Sequence, residues 1–444
     1  MAQSCLCRLM IFSFVFFFVL SFMFTFTDAS EAAKRVVKGR ARQTQASKTP
    51  SIFAAGDGTQ KKPYVIRSGA QLAAFANSVN SGKTYAGKFV MLDVDVDLAG
   101  SRWIPIGFSD KNGNRPFMGI FDGGGHTIWN LRADNGQRSS MGLFGSIEKA
   151  MVIRVNLQYA EITGDSNVGG LAAFMKNSAV SDCTVSGSVG GTSSVGGIAG
   201  SALGGVLQNC SFSGNVKGNN GVGGIVGTMD GTGIQGGVAA GRVEGNQDVG
   251  GIVGSILAGD LLQCRTDVVT VKGGQNIGGI VGHIIDNGDI NKSVFDGQVG
   301  GDENVGGIVG RLVTGELANC VTWGAISGKT HIGGIVGELT GGAVVDSISN
   351  ASVLGTSGVG GVVGYLTGGG VRKSDNKGTV KGGEAVGGIV GQRSRGDLAA
   401  SNNMGSVEGY YRTGNIVGME GEIMAPKILA PASPQPFPEE PRAQ

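Results

Sequence analysis

From Phe117 to Ala425 the chain contains no proline. Proline cannot donate a ladder hydrogen bond, so its absence removes the commonest interruption of a long stack of paired strands. Histidine is scarce as well: His126, His283 and His331 are the only three, and none stands in a His-Glu-x-x-His string. A zinc-peptidase helix needs that string to place two imidazoles on one face, so this chemistry is excluded and no metal or other cofactor is expected. Charge of one sign is not in excess, with 36 Lys and Arg against 34 Asp and Glu and a net charge of +2. Both signs are mixed along the chain, which leaves no basic footprint for nucleic acid. Aromatic residues make up 6%, with Trp103, Trp129 and Trp323 far apart. No sugar-stacking platform is evident from that spacing. No aspartate recurs at turn positions either, as a calcium-binding nonapeptide roll would require.

Glycine, in contrast, is present 83 times. A glycine inside a regular element costs about 0.5 to 1 kcal/mol in backbone entropy, so adjacent pairs call for a reason. The pairs are periodic. The hydrophobic residue before each one falls at Val168, Val195, Val222, Val249, Ile277, Val305, Ile332, Val359 and Val386, with a degraded copy at Thr413, in steps of 27 or 28 residues. A second column, Gly191 to Gly409, keeps the same register. Within a copy, short apolar runs such as VGGIAGSAL and VLQNCSFSG are bounded by Gly, Asn or Asp. Short strands with turn chemistry fit this pattern and a helix does not. A unit this small must bury its apolar face against its neighbours. The fold expected is therefore all-β: a right-handed parallel β-solenoid with one coil per repeat, its hand following the crossover rule. Recurrent glycine then marks a tight corner or a positive φ imposed at one point of every coil, and Asn167, Asn276, Asn304 and Asp248 tolerate left-handed geometry just before the marker.

The flanks differ in composition. Residues 1–30 hold an apolar run from Leu9 to Phe26 and read as an export signal, or as an anchor if uncleaved. Residues 31–51 are a basic linker, residues 52–145 a cap with the first irregular coils, residues 146–424 the repeats, and residues 425–444 a tail with six of the ten prolines. Ser68 and Gln71 have capping-box spacing, so Ala70 to Val79 is expected to be a helix covering the first strand edge.

The GGIVG core, seen whole at Gly251, Gly279, Gly307, Gly334 and Gly388, resembles the GLUG motif of bacterial secreted and surface proteins. The resemblance extends upstream through Gly56-Asp57-Gly58-Thr59, Trp103-Ile104-Pro105-Ile106-Gly107, Phe117-Met118-Gly119-Ile120-Phe121-Asp122-Gly123 and Gly142-Leu143-Phe144-Gly145. It implies a location in the medium or on a bacterial cell surface, in a family that includes adhesins, large exoproteins and the non-catalytic parts of some immunoglobulin-cleaving metallopeptidases. Such a fold analogy specifies architecture and leaves activity open.

The function expected is that of an adhesin-like or scaffold protein. It would bind a protein or glycan on another surface, or its own copies, and meet a membrane only through an uncleaved N-terminal segment. Strict alternation through Ile252 to Ile256 sends Ser255 to water and Val253 with it. The candidate partner face is then Val253, Val281, Val309 and Val336 beside His283, Arg311, Glu338 and Tyr365. A corner near the glycines would break the alternation and turn these valines inward instead. Two rival functions stay open. In the first, Asp93, Asp95 and Asp97, alternating with valines, serve a parallel β-helix polysaccharide lyase or glycoside hydrolase. In the second, the chain is an accessory part of a secreted peptidase or secretion system. Cys183, Cys210, Cys264 and Cys320 share one repeat column with Gly237, Ser293, Ser347, Ser374 and Ser401, which predicts small buried side chains and free thiols.

Overall fold

The computed structural model describes residues 51–99, 102–110, 113–134 and 139–421. The expected signal, nearly all of the basic linker and the proline-rich tail lie outside the described residues. What is described is a parallel β-solenoid of about 13 coils. One coil shows how the sequence makes it: strands Glu303–Gly306, Val309–Leu312, Glu316–Ala318, Val321–Thr322 and Ala325–Ser327 lead back to Thr330–Gly333, which lies on Glu303–Gly306 in parallel register. Val305 pairs with Ile277 below and Ile332 above, so the marker column is continuous.

Two corners per coil are left-handed. One carries Asn167, Ser194, Asp248, Asn276, Asn304 and His331, with φ between 52° and 58°. The other carries Asp182, Asn209, Gln263, Asn319 and Asp346, with φ between 47° and 56°. Asn and Asp recur because their short polar side chains tolerate this region best. The paired glycines act differently. A Cβ on Gly306 would lie 2.0 Å from the carbonyl oxygen of Val309, and one on Gly307 would lie 2.3 Å from that of Gly334. Of the two reasons for recurrent glycine, the tight corner is the one that operates at the pair.

Ile308, Val309, Leu312, Leu317 and Cys320 are fully buried in this coil, and their counterparts continue the same columns. Each such aliphatic side chain contributes roughly 1.5 to 3 kcal/mol by leaving water, more than one glycine costs.

The helix spans Gly69–Asn80, one residue beyond the expected range at each end. Ser68 Oγ accepts from Gln71 N at 3.2 Å, while Gln71 Oε1 accepts from Arg67 N at 2.7 Å, one residue before the N-cap. Its buried side, Leu72, Phe75, Ala76 and Val79, joins the core of the first coils. Phe75 lies 5.0 Å from Tyr85, 5.7 Å from Phe117 and 6.2 Å from Phe121 between ring centroids. Aromatic volume thus fills this end, where later coils use valine and isoleucine.

The four repeat-column cysteines are buried and free. Burial pushes the Cys264 and Cys320 thiols up to about 12 and raises Cys183 well above its ordinary range. Serine substitutes because its hydroxyl meets the backbone of the preceding coil: Ser347 Oγ accepts from Cys320 N at 3.1 Å, and Ser374 Oγ from Ser347 N at 3.3 Å. These four cysteines are expected to resist a maleimide reagent in the native protein and to label completely after denaturation without reductant. Peptide mapping checks this, and only two labelled sites among the four would reveal a disulfide.

Candidate functional site

The structure separates the two halves of the candidate face. Val253, Val281, Val309 and Val336 are each 0% exposed, so the expectation that they line a partner surface is corrected. The reason lies in two breaks of alternation. The chain turns at Gly307 and Ile308 between strands, so Ile308 and Val309 point inward in succession. The ladder then skips Gly310, pairing Val309, Arg311 and Leu312 with Val336, Glu338 and Leu339. Arg311 therefore faces out between two inward residues.

His283, Arg311, Glu338 and Tyr365 do form one stacked column, half-buried at the solenoid edge. Two of its members, His283 and Tyr365, meet the left-handed column beyond the glycine corner. His283 Nδ1 lies 3.4 Å from Asp248 Oδ1, and the rings of His331 and Tyr365 stack at 4.6 Å. The left-handed residues are themselves linked: Asn276 Nδ2 donates to Asp248 Oδ1 at 2.8 Å, and Asn304 Nδ2 donates to Asn276 Oδ1 at 3.0 Å. His331 Nδ1 lies 3.0 Å from Asn304 Oδ1. With His331 as the Nδ1–H tautomer, the chain runs one way from imidazole through two amides to a carboxylate, an arrangement whose bonds reinforce one another. Burial lowers the His331 pKa and so favours the neutral ring, against the pull of Glu303. Burial also raises the Glu338 carboxyl, partly offset by Arg311, whose Nε lies 3.0 Å from Glu338 Oε2. The sequence identified the outward column; the hydrogen-bonded one behind it was read only as turn chemistry.

Asp93, Asp95 and Asp97 occupy the outer side of their segment as the alternation requires, but each is engaged locally. Asp93 pairs with Arg67 at 2.7 Å. Asp95 accepts from Thr127 N at 2.9 Å and meets His126 Nδ1 at 3.3 Å. Asp97 accepts from Asn130 Nδ2 at 2.9 Å and from Ala99 N at 2.8 Å. The Thr127 amide holds the Asp95 pKa below the ordinary range, and the Asn130 amide does the same for Asp97. A glycosidase acid needs the opposite shift. These carboxylates tie their segment to its neighbours through partners distant in sequence that only the fold supplies.

One feature escaped the sequence altogether. Trp129 and Tyr159, on adjacent coils, stack at 5.8 Å with an interplanar angle of 28°. Gln158 pairs with Trp129 in parallel register, which sets Tyr159 beside that ring, and an inserted residue shifts the register with the following coil between Leu157 and Ala160.

Coils stacked in parallel around a glycine corner define a β-solenoid repeat protein. The GLUG motif matches residues 191–217, one repeat of the series, and the chain is a GLUG-repeat β-solenoid protein. A stretch of 145 residues is 35% identical to halomucin of Haloquadratum walsbyi, covering 30% of this chain and 2% of that one. Another of 119 residues is 34% identical to a protein of Evansella cellulosilytica provisionally named a Gly-rich membrane protein, covering 26% and 12%. The matches thus span a small part of each relative's length. A solved structure from Bacteroides ovatus, provisionally titled an immunoglobulin A1 protease, is similar at 23% identity and a TM-score of 0.43, over 61% of this chain and 78% of that one.

Proposed function

We propose that the protein is a non-catalytic surface or extracellular scaffold that engages a protein, a glycan or its own copies along the edge formed by His283, Arg311, Glu338 and Tyr365. The observation that carries this reading is the contrast between columns. The marker and valine columns repeat nearly the same residue in coil after coil, whereas the edge column runs Ser201, Thr228, Ser255, His283, Arg311, Glu338, Tyr365 and Gln392. A constant frame carrying a varied polar column presents a readable surface, and rim charges of this kind contribute to selectivity. The names of the two relatives support a location at or beyond the cell surface.

The double exchange Arg311→Glu with Glu338→Arg keeps an ion pair in place while reversing the order of charge. Its melting temperature is expected to match the wild type, and binding of the labelled protein to intact cells or to itself is expected to fall by about tenfold. Unchanged binding in both assays would remove the edge from the function.

A further inference from the structure

We infer that a cleft on the first coils is a binding subsite for neutral carbohydrate, with the Tyr159 ring as its platform. The inference does not rest on the edge column; it uses a different part of the molecule and can fail separately.

The starting point is a backbone outlier. Tyr159 has φ +55° and is 65% exposed. A bulky side chain held left-handed and turned to water is costly, and a ring left exposed in this way is available to a ligand. In the following coil Gly187 pairs with Ala160, so Tyr159 is an inserted residue; the same insertion recurs at Val268, with φ +50° and 78% exposure, so the left-handed turn belongs to the bulge and the ring is what is particular to Tyr159. Tyr159 is also braced, because Trp129 stacks beneath it from the preceding coil. Beside it Asn130 is a second left-handed residue, with φ +56°, and its amide N donates to Gln158 O at 3.0 Å. Two adjacent coils thus place left-handed residues side by side.

These residues border a cleft of about 520 Å³ whose walls include Arg102, Asn130, Arg132, Asp134, Tyr159 and Glu161. That volume lies within the usual range for small-ligand sites, which combine an aromatic wall with a few convergent polar groups. Its charges cancel. Arg102 lies 3.4 Å from Asp134, while Arg132 lies 3.7 Å from Asp134 and 3.9 Å from Glu161. All four side chains are more than half exposed, so they face the ligand side as donors and acceptors. A phosphate or uronate chain would meet Asp134 and Glu161 and be repelled. A ligand whose hydroxyls both donate and accept satisfies guanidinium and carboxylate together, and a pyranose also offers an apolar face to a ring. Asn130 is held by Asp97 through its Nδ2, which leaves its carbonyl oxygen to accept from a hydroxyl.

The test is calorimetric titration of the full chain with neutral oligosaccharides built from glucose, xylose, mannose and N-acetylglucosamine. At least one is expected to bind saturably, with little dependence on salt. Tyr159→Gly removes the ring at a position where glycine adopts the backbone freely, so it should melt at or above the wild-type temperature and bind about tenfold more weakly or worse. Tyr159→Phe keeps the platform and should retain binding, and the Arg311/Glu338 exchange should leave it unchanged. Binding of none of the four series, binding that survives Tyr159→Gly, loss in Tyr159→Phe as severe as in Tyr159→Gly, or binding confined to a polyanion and abolished by salt would each overturn the assignment.

Discussion

Gly310→Ala is expected to cost about 3 kcal/mol or more and to melt the central coils, whereas Gly300→Ala, at the end of the preceding coil, should change stability by no more than about 0.5 kcal/mol. The difference lies in what the new methyl group meets. At position 310 it would sit 2.4 Å from Ile277 N, 2.5 Å from Asn276 C and 2.6 Å from Gly282 O. All three are backbone atoms, from segments on either side of the corner in the preceding coil. No rotamer change can make room, so the coils must separate. At position 300 the nearest atom is Ser327 Oγ at 3.6 Å, an ordinary contact. Repeat proteins distribute stability between neighbours, so the damage should spread to the coils flanking Gly310 first. Thermal and urea melts followed by circular dichroism compare the two variants. Equal losses, or none at Gly310, would mean that the paired backbones do not approach as closely as described.

Much of this architecture could be read from spacing. The markers from Val168 to Val386 gave the coil length, because a solenoid repeats its geometry wherever it repeats its register. The Cys and Ser column gave a buried small-volume position for the same reason. Asn304 and its counterparts gave a left-handed corner through the chemistry of one residue type. What could not be read depends on where side chains point once a corner intervenes. The Ile308-Val309 pair looks like one inward and one outward residue under strict alternation, and only the turn at Gly307 places both inside. Tyr159 was hidden differently: its partner Trp129 is thirty residues away, and the inserted residue takes it out of the periodic columns. The ion pair of Asp93 with Arg67 and the contact of Asp95 with His126 likewise join residues that no local pattern connects. Of the candidate site, the polar half was legible because it varies and the valine half was misplaced because it does not.

The central claim is that the edge is polar and the valine ladder forms the wall behind it. Replacing Val281, Val309 and Val336 together by lysine tests it most directly. All three valines are fully buried on consecutive coils, paired Val281 to Val309 and Val309 to Val336. Three unpaired ammonium groups in that column would each have to lose their charge or open the coil, at a cost of several kcal/mol in total. The account predicts a protein without a cooperative melt and with its thiols open to labelling, while the Arg311/Glu338 exchange stays folded. A triple-lysine protein that melts like the wild type and has lost only partner binding or self-association would contradict it and place the valines on the outside.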